Sequence, residues 1–166
     1  MIDVIVSGGQ TGADRAALDV ALRHAFPHGG FCPKGRKAED GVIGGQYRLI
    51  EAPTEDYLQR TEMNVRGSDG TVVFTLTDKL SGGSLRTMEF CRKHKKPVAH
   101  ISRAAKYKPA EALQRFVQEH KIKTLNVAGT RESKEPGIGQ WVYQVVEDAF
   151  FWEKAHPGML GGPGEG

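Results

Sequence analysis

Ile2-Asp3-Val4-Ile5-Val6-Ser7-Gly8-Gly9-Gln10-Thr11-Gly12-Ala13-Asp14 changes character twice within a few residues. Ile2 to Val6 is apolar and rich in β-branched side chains, the pattern of a short buried strand. Ser7 to Gly12 is too small and polar to continue it. Thr11 then predicts a helix N-cap, with Ala17, Leu18, Ala21 and Leu22 on one face as far as about His24. Pro27, Gly29 and Gly30 stop that helix. The unit is strand, glycine-rich loop, helix.

Working outward, the same unit recurs twice. Gly70 to Leu76 is the clearest buried strand, and Ser81-Gly82-Gly83-Ser84 leads from it into a helix through Lys95. Thr124 to Ala128 forms a last strand. Gly129-Thr130-Arg131-Glu132-Ser133 then precedes a long helical stripe of Ile138, Val142, Val145, Val146, Ala149 and Phe150. Between these lie a helix over Asp56 to Arg66, a strand over Pro97 to Ile101 and a helical face of Leu113, Phe116, Val117 and His120. Gly30 to Cys32 and Tyr47 to Ile50 read as short strands joined by a long polar loop. Strands alternating with helices predict an α/β sandwich with a mainly parallel sheet. Residues 1–156 form one ligand-binding domain in this reading, and 157–166, rich in glycine and proline, a flexible tail.

The chain has 166 residues, 39% hydrophobic and 26% charged, the balance of a globular protein rather than a disordered one. No apolar run reaches the ~20 residues that span a bilayer, and no basic, apolar leader opens the sequence. The expectation is a cytoplasmic protein with no membrane partner. Net charge is only +3. The cluster Arg92-Lys93-His94-Lys95-Lys96 falls in the last turn of a helix, where cations complement the dipole, and carries no interleaved aromatics, so no nucleic-acid partner is expected. Cys32 and Cys91 have neither disulfide nor metal-ligand spacing and read as packed thiols.

Chemistry concentrates in the loops. Glycine lets a backbone approach an anion closely, and a helix beginning just afterwards presents free N–H groups. In a parallel sheet these loops gather at the carboxyl edge, where ligands bind. Ser7, Gly8, Gly9, Gln10, Thr11 and Gly12 make the first candidate loop, which is neither a dinucleotide fingerprint nor a Walker A sequence. Asp14 either contacts ligand or closes a capping box with Thr11. In the long polar loop, Lys34, Gly35 and Arg36 could neutralise a phosphate, while Glu39 and Asp40 could accept hydrogen bonds from sugar hydroxyls or an amine-bearing ring. Ser81, Gly82, Gly83 and Ser84, with Thr87 in the next turn, would cradle an anion. Gly129, Thr130 and Arg131 could close over it. No directly coordinated metal is expected.

Residues 7–19, 32–42, 57–62 with 64–66, and 126–133 together resemble the molybdenum-cofactor carrier-like family, within the Rossmann-like lysine-decarboxylase-like (SLOG) group. The resemblance runs nearly to His156. It implies a three-layer α/β/α sandwich, a site at the first and third glycine loops, molybdenum cofactor (molybdopterin) or a nucleotide as ligand, and a dimer or tetramer. Nucleoside-monophosphate phosphoribohydrolases of the same group carry Pro-Gly-Gly-x-Gly-Thr-x-x-Glu. Gly82, Gly83 and Glu89 keep that spacing, whereas Ser81, Leu85 and Arg86 replace the proline, the third glycine and the threonine, and Thr87 comes one position late. The expected function is binding, or carriage, of a phosphate-bearing small molecule. The alternatives are N-glycosidic hydrolysis with Glu89 as the catalytic carboxylate, and a ligand sensor.

Overall fold

The computed structural model describes residues 1–159 and 161–162. Its elements run β1 (Val4–Val6), α1 (Ala13–Arg23), β2 (His28–Gly29), β3 (Phe31–Cys32), β4 (Lys37–Ala38), β5 (Gly41–Val42), β6 (Ile50–Glu51) and α2 (Tyr57–Arg66), then β7 (Gly70–Thr75), α3 (Gly82–Lys93), β8 (Val98–Ser102), α4 (Pro109–Glu119), β9 (Thr124–Gly129), α5 (Ile138–Phe150) and α6 (Trp152–Ala155). Five strands form one parallel sheet in the order β2-β1-β9-β7-β8. β1 and β2 extend to one side of β9, β7 and β8 to the other. The centre of the sheet is therefore a crevice between outward-running halves, the place where open parallel sheets take ligands.

The two faces of the sheet differ chemically. Side chains alternate along a strand, so Val72 and Phe74 of β7, Ile101 of β8 and Leu125 and Val127 of β9 point to one side. There they pack with Ala17 and Val20 of α1, Leu113 of α4 and Val142 and Val146 of α5 as the main core. Each fully buried Val, Leu, Ile or Phe among them contributes about 1.5–3 kcal/mol. The opposite face presents Thr71, Thr75 and Asn126, and Asn126 donates to the Thr71 hydroxyl at 3.1 Å. Over it lie α2, which buries Thr61, Asn64 and Val65, and α3, which buries Ser84, Thr87 and Cys91. One face is a core; the other holds polar side chains inside the fold.

Several local expectations change. The first helix begins at Ala13 behind Gly12, whose φ of +82° and lack of side chain leave no role for a Thr11 cap or capping box. A Cβ at Gly12 would lie 2.4 Å from the Thr130 carbonyl oxygen, so glycine here lets the first and last loops touch. The helix after β7 starts at Gly82, two residues before Ser84. The strand expected over Gly30 to Cys32 is β3, which pairs with β6; Gly30, at φ +125°, separates it from β2, an added strand that joins the main sheet. The polar loop contains an antiparallel hairpin, β4–β5, and α6 is an added turn. Of the expected tail, Leu160 and residues 163–166 lie outside the described residues. Among those described, no helix is long and apolar enough to cross a membrane.

Candidate functional site

A cleft opens on the polar face at the carboxyl ends of β1, β9 and β7. Gly8, Gln10 and Asp14 line it from the first loop, and Asn126 to Arg131 with Lys134 from β9 and its loop. Ser81, Gly83, Ser84 and Thr87 line it from α3, and Tyr57, Arg60, Thr61 and Asn64 from α2.

The first loop is held mainly by its own contacts. The Ser7 hydroxyl donates to the Asp14 carbonyl at 2.9 Å and accepts from the Gly9 amide at 3.3 Å. The Gly8 and Gln10 amides face the Asp14 carboxylate. Arg60 reaches down from α2 to place Nη1 3.3 Å from Asp14 Oδ2. Burial of Asp14 outweighs these partners and raises its carboxyl above the ordinary value. A Cβ on Gly8 would lie 1.9 Å from Arg60 Nη1, so the guanidinium lies directly over this glycine. Gln10 is buried; its Nε2 donates to the Lys37 carbonyl at 2.9 Å.

The third loop is different. Ser81 makes no side-chain cap, the first turn of α3 has no acidic residue, and a helix supplies no acceptor for its own first amides. Lys134 reaches in from the β9 loop, its Nζ 3.1 Å from where a Cβ of Gly82 would stand. Arg131 joins it in the lining and lies over the Tyr57 ring, 5.4 Å from the centroid. An ammonium thus sits against the positive end of a twelve-residue helix. Among the described residues, neither Lys134 nor Arg131 makes an ion pair. Thr87 donates back to the Gly83 carbonyl at 2.9 Å.

Other sequence-predicted residues lie outside the cleft. The Arg36 guanidinium donates to the Ile43, Gly44 and Tyr47 carbonyls at 3.0, 2.7 and 2.9 Å, so it wraps its own loop. Lys34 is exposed, and the Gly35 amide donates to Glu51 at 2.6 Å. Glu39 accepts from the Thr11 hydroxyl, and from the Ser133 hydroxyl and amide at 2.5 and 3.2 Å. These bonds hold its carboxyl below the ordinary value. Asp40 pairs with Arg15, with the same effect. Both carboxylates pin the β4–β5 hairpin beside a separate open groove along α1 and α5. Glu89 stands on the exposed side of α3, 3.5 Å from Arg86. Gly129, at φ +156°, is there because a Cβ would strike the Phe74 carbonyl oxygen at 2.3 Å. Helix α5 offers no free N-terminus, because Glu132 accepts from Gly137 and Gly139 at 2.7 and 3.0 Å.

The sequence reading gave no site role to Tyr57, Arg60, Thr61, Asn64 or Lys134. The α2 residues fall three, four and seven positions apart, on one helical face. A polar stripe where a packed helix should be apolar was the signal available for them. Lys134 had none.

The profile of the circularly permutated YpsA SLOG family matches residues 5–150. The chain belongs to that family. The SLOG chain is also similar to the crystal structure of a "Putative molybdenum carrier protein" from Syntrophus aciditrophicus SB, with 44% identity over 90% of this chain and 95% of that one and a TM-score of 0.85. A second solved structure, (E)-4-hydroxy-3-methyl-but-2-enyl diphosphate reductase, is 12% identical over 89% of the SLOG chain and 58% of its own, with a TM-score of 0.39. No curated protein matches. The Rossmann-like architecture expected from the resemblance is the one the sheet displays.

Proposed function

We propose that this chain binds a phosphate-bearing small molecule in the α2–α3 cleft and acts as a carrier or sensor. The observation that carries this is the uncompensated positive charge at the start of α3. Lys134 faces a helix N-terminus that has neither a capping side chain nor an acidic first turn. Like charges placed together repel, and a dianionic phosphate seated on the Gly82 and Gly83 amides would reverse the sign of that interaction. Arg131 would add a second cation. The molybdenum-carrier name of the 44%-identical relative supports molybdenum cofactor as one ligand. Among the described residues no three His, Cys, Asp or Glu side chains gather to hold a metal ion. The residues present fit the phosphate of such a cofactor, which when bound would bring its own metal chemistry. A nucleotide monophosphate fits the same elements.

Hydrolysis is the weaker reading, because Glu89 pairs with Arg86 outside the cleft and Asp14 is the one carboxylate among the described lining residues. The test is calorimetric titration with pyrophosphate and with nucleoside monophosphates, repeated on Lys134→Glu. Binding to the wild type that weakens at least tenfold in the variant is expected. Equal affinity of the two proteins would overturn the assignment of the anion to α3.

A further inference from the structure

The opposite end of the same cleft carries a second recognition element. Gln10 is only 2% exposed, and its Oε1 is buried without a hydrogen-bond partner, although the residue lines the cleft. The bond from its Nε2 to the Lys37 carbonyl fixes which end of the amide is which, so the free atom is the acceptor. Arg60 supplies the complement. While Nη1 holds Asp14, its Nε is also buried and unpartnered. Asp14 joins the two residues: its carboxylate accepts from the Gln10 backbone N–H and pairs with the Arg60 guanidinium. A buried donor or acceptor left unmade costs about 1–3 kcal/mol, and here one of each belongs to residues that line one cleft.

We infer that this end reads a lactam edge, a ring N–H adjacent to a C=O, as in hypoxanthine, guanine or a pterin. The N–H would donate to Gln10 Oε1, and the carbonyl oxygen would accept from Arg60 Nε. An exocyclic amino group beside the N–H, present in guanine and pterins, would face the remaining acceptor capacity of Asp14. Adenine presents the reverse order, an amino donor beside a ring acceptor, and leaves both protein groups unmatched. Scale agrees as well. The first loop follows β1 and α3 follows β7, two strand steps apart across β9, or about 10 Å. A ring carrying its phosphate on a sugar or short side chain spans such a gap.

This inference rests on the anion reading of α3, and the experiment separates the two. The intact chain is titrated with IMP, AMP, GMP, 6-hydroxymethylpterin phosphate and pyrophosphate. IMP and AMP differ only at the edge in question, so IMP is expected to bind at least tenfold more tightly. Gln10→Met should bring the two within about twofold of each other without altering pyrophosphate affinity. If that variant does not fold, the wild-type ratio decides alone. Equal or inverted affinities for IMP and AMP overturn the lactam assignment, as does binding of pyrophosphate with no ring-bearing ligand. Failure of every ligand, pyrophosphate included, overturns the anion reading too. Tighter binding of the pterin ester than of GMP names the pterin as the source of the edge, and the opposite order names the purine.

Discussion

Gly83→Asp should move stability and binding in opposite directions. Gly83 has an ordinary backbone conformation, and a Cβ built on it meets nothing within 4 Å, so a side chain fits without strain. Replacing a helical glycine gains a few tenths of a kcal/mol for aspartate. A carboxylate in the first turn adds about 0.3–1 kcal/mol through the dipole, with Lys134 nearby to favour it further. Together these give roughly 0.5–1.5 kcal/mol, or a Tm rise of about 2–5 °C for a domain of this size. Binding meets the reverse field. Two unit charges about 4 Å apart near a protein surface interact by about 4 kcal/mol before screening, so even half of that weakens a phosphate ligand about thirtyfold. Differential scanning fluorimetry and calorimetry on one preparation read both quantities. A raised Tm with unchanged affinity for the phosphate ligand would refute the cradle at α3. Gly82→Asp is not an equivalent test, since φ of +52° strains any side chain there.

Four further outcomes are expected. Gly8→Ala should displace the Arg60 guanidinium that lies over it, weakening ring-bearing ligands at least tenfold while pyrophosphate is held as before, by calorimetry. Arg36→Met should lower stability by about 1.5–3 kcal/mol, the contribution of hydrogen bonds to a charged group, in urea unfolding, with ligand affinity kept. Glu89→Gln should leave binding unchanged and unfolding within about 0.5 kcal/mol, as for other exposed pairs; a binding loss would return Glu89 to the site. The Glu39 carboxyl is depressed below its ordinary 4.5 by its Ser133 and Thr11 bonds, so its contribution is present above that value and lost as pH falls through the folded one. Hydrogen exchange should therefore show residues 37–42 loosening below about pH 4.5, and Glu39→Gln should remove the earlier part of that loss while leaving the part due to Asp40, whose carboxyl is depressed below its ordinary 3.8 by Arg15.

Much of the architecture was legible because apolar β-branched runs, glycine punctuation and helical stripes agree locally. Strand order was not, since β1 and β9 pair through contacts between distant segments that no local pattern encodes. The candidate site was legible where small residues follow a strand: Gly8, Gln10 and Asp14 of the first loop, Ser81, Gly83, Ser84 and Thr87 of the third, and Gly129, Thr130 and Arg131 of the last all line the cleft. Arg36 lies outside the cleft: a loop arginine looks free in sequence, whereas the carbonyls of Ile43, Gly44 and Tyr47 close around it. Glu89 kept a familiar spacing, yet it follows Thr87 by two residues, about 200° around a helix, and so turns away from the cleft. The polar face of α2 went unassigned because helix reading searches for apolar stripes.

The position of β9 also governs the order in which the molecule can be made. It lies between β1 and β7, yet both of those strands are synthesised before it. At about 5–20 residues per second, the ribosome needs roughly 6–24 s to travel from Val6 to Thr124; the β1 edge waits unpaired throughout, and once β8 is complete at Ser102 the nascent chain holds two half-sheets with facing unpaired edges. Such edges recruit other strands. Ribosome-bound chains ending before residue 124 should therefore be the chaperone-dependent, aggregation-prone species, and those carrying β9 and α5 should not.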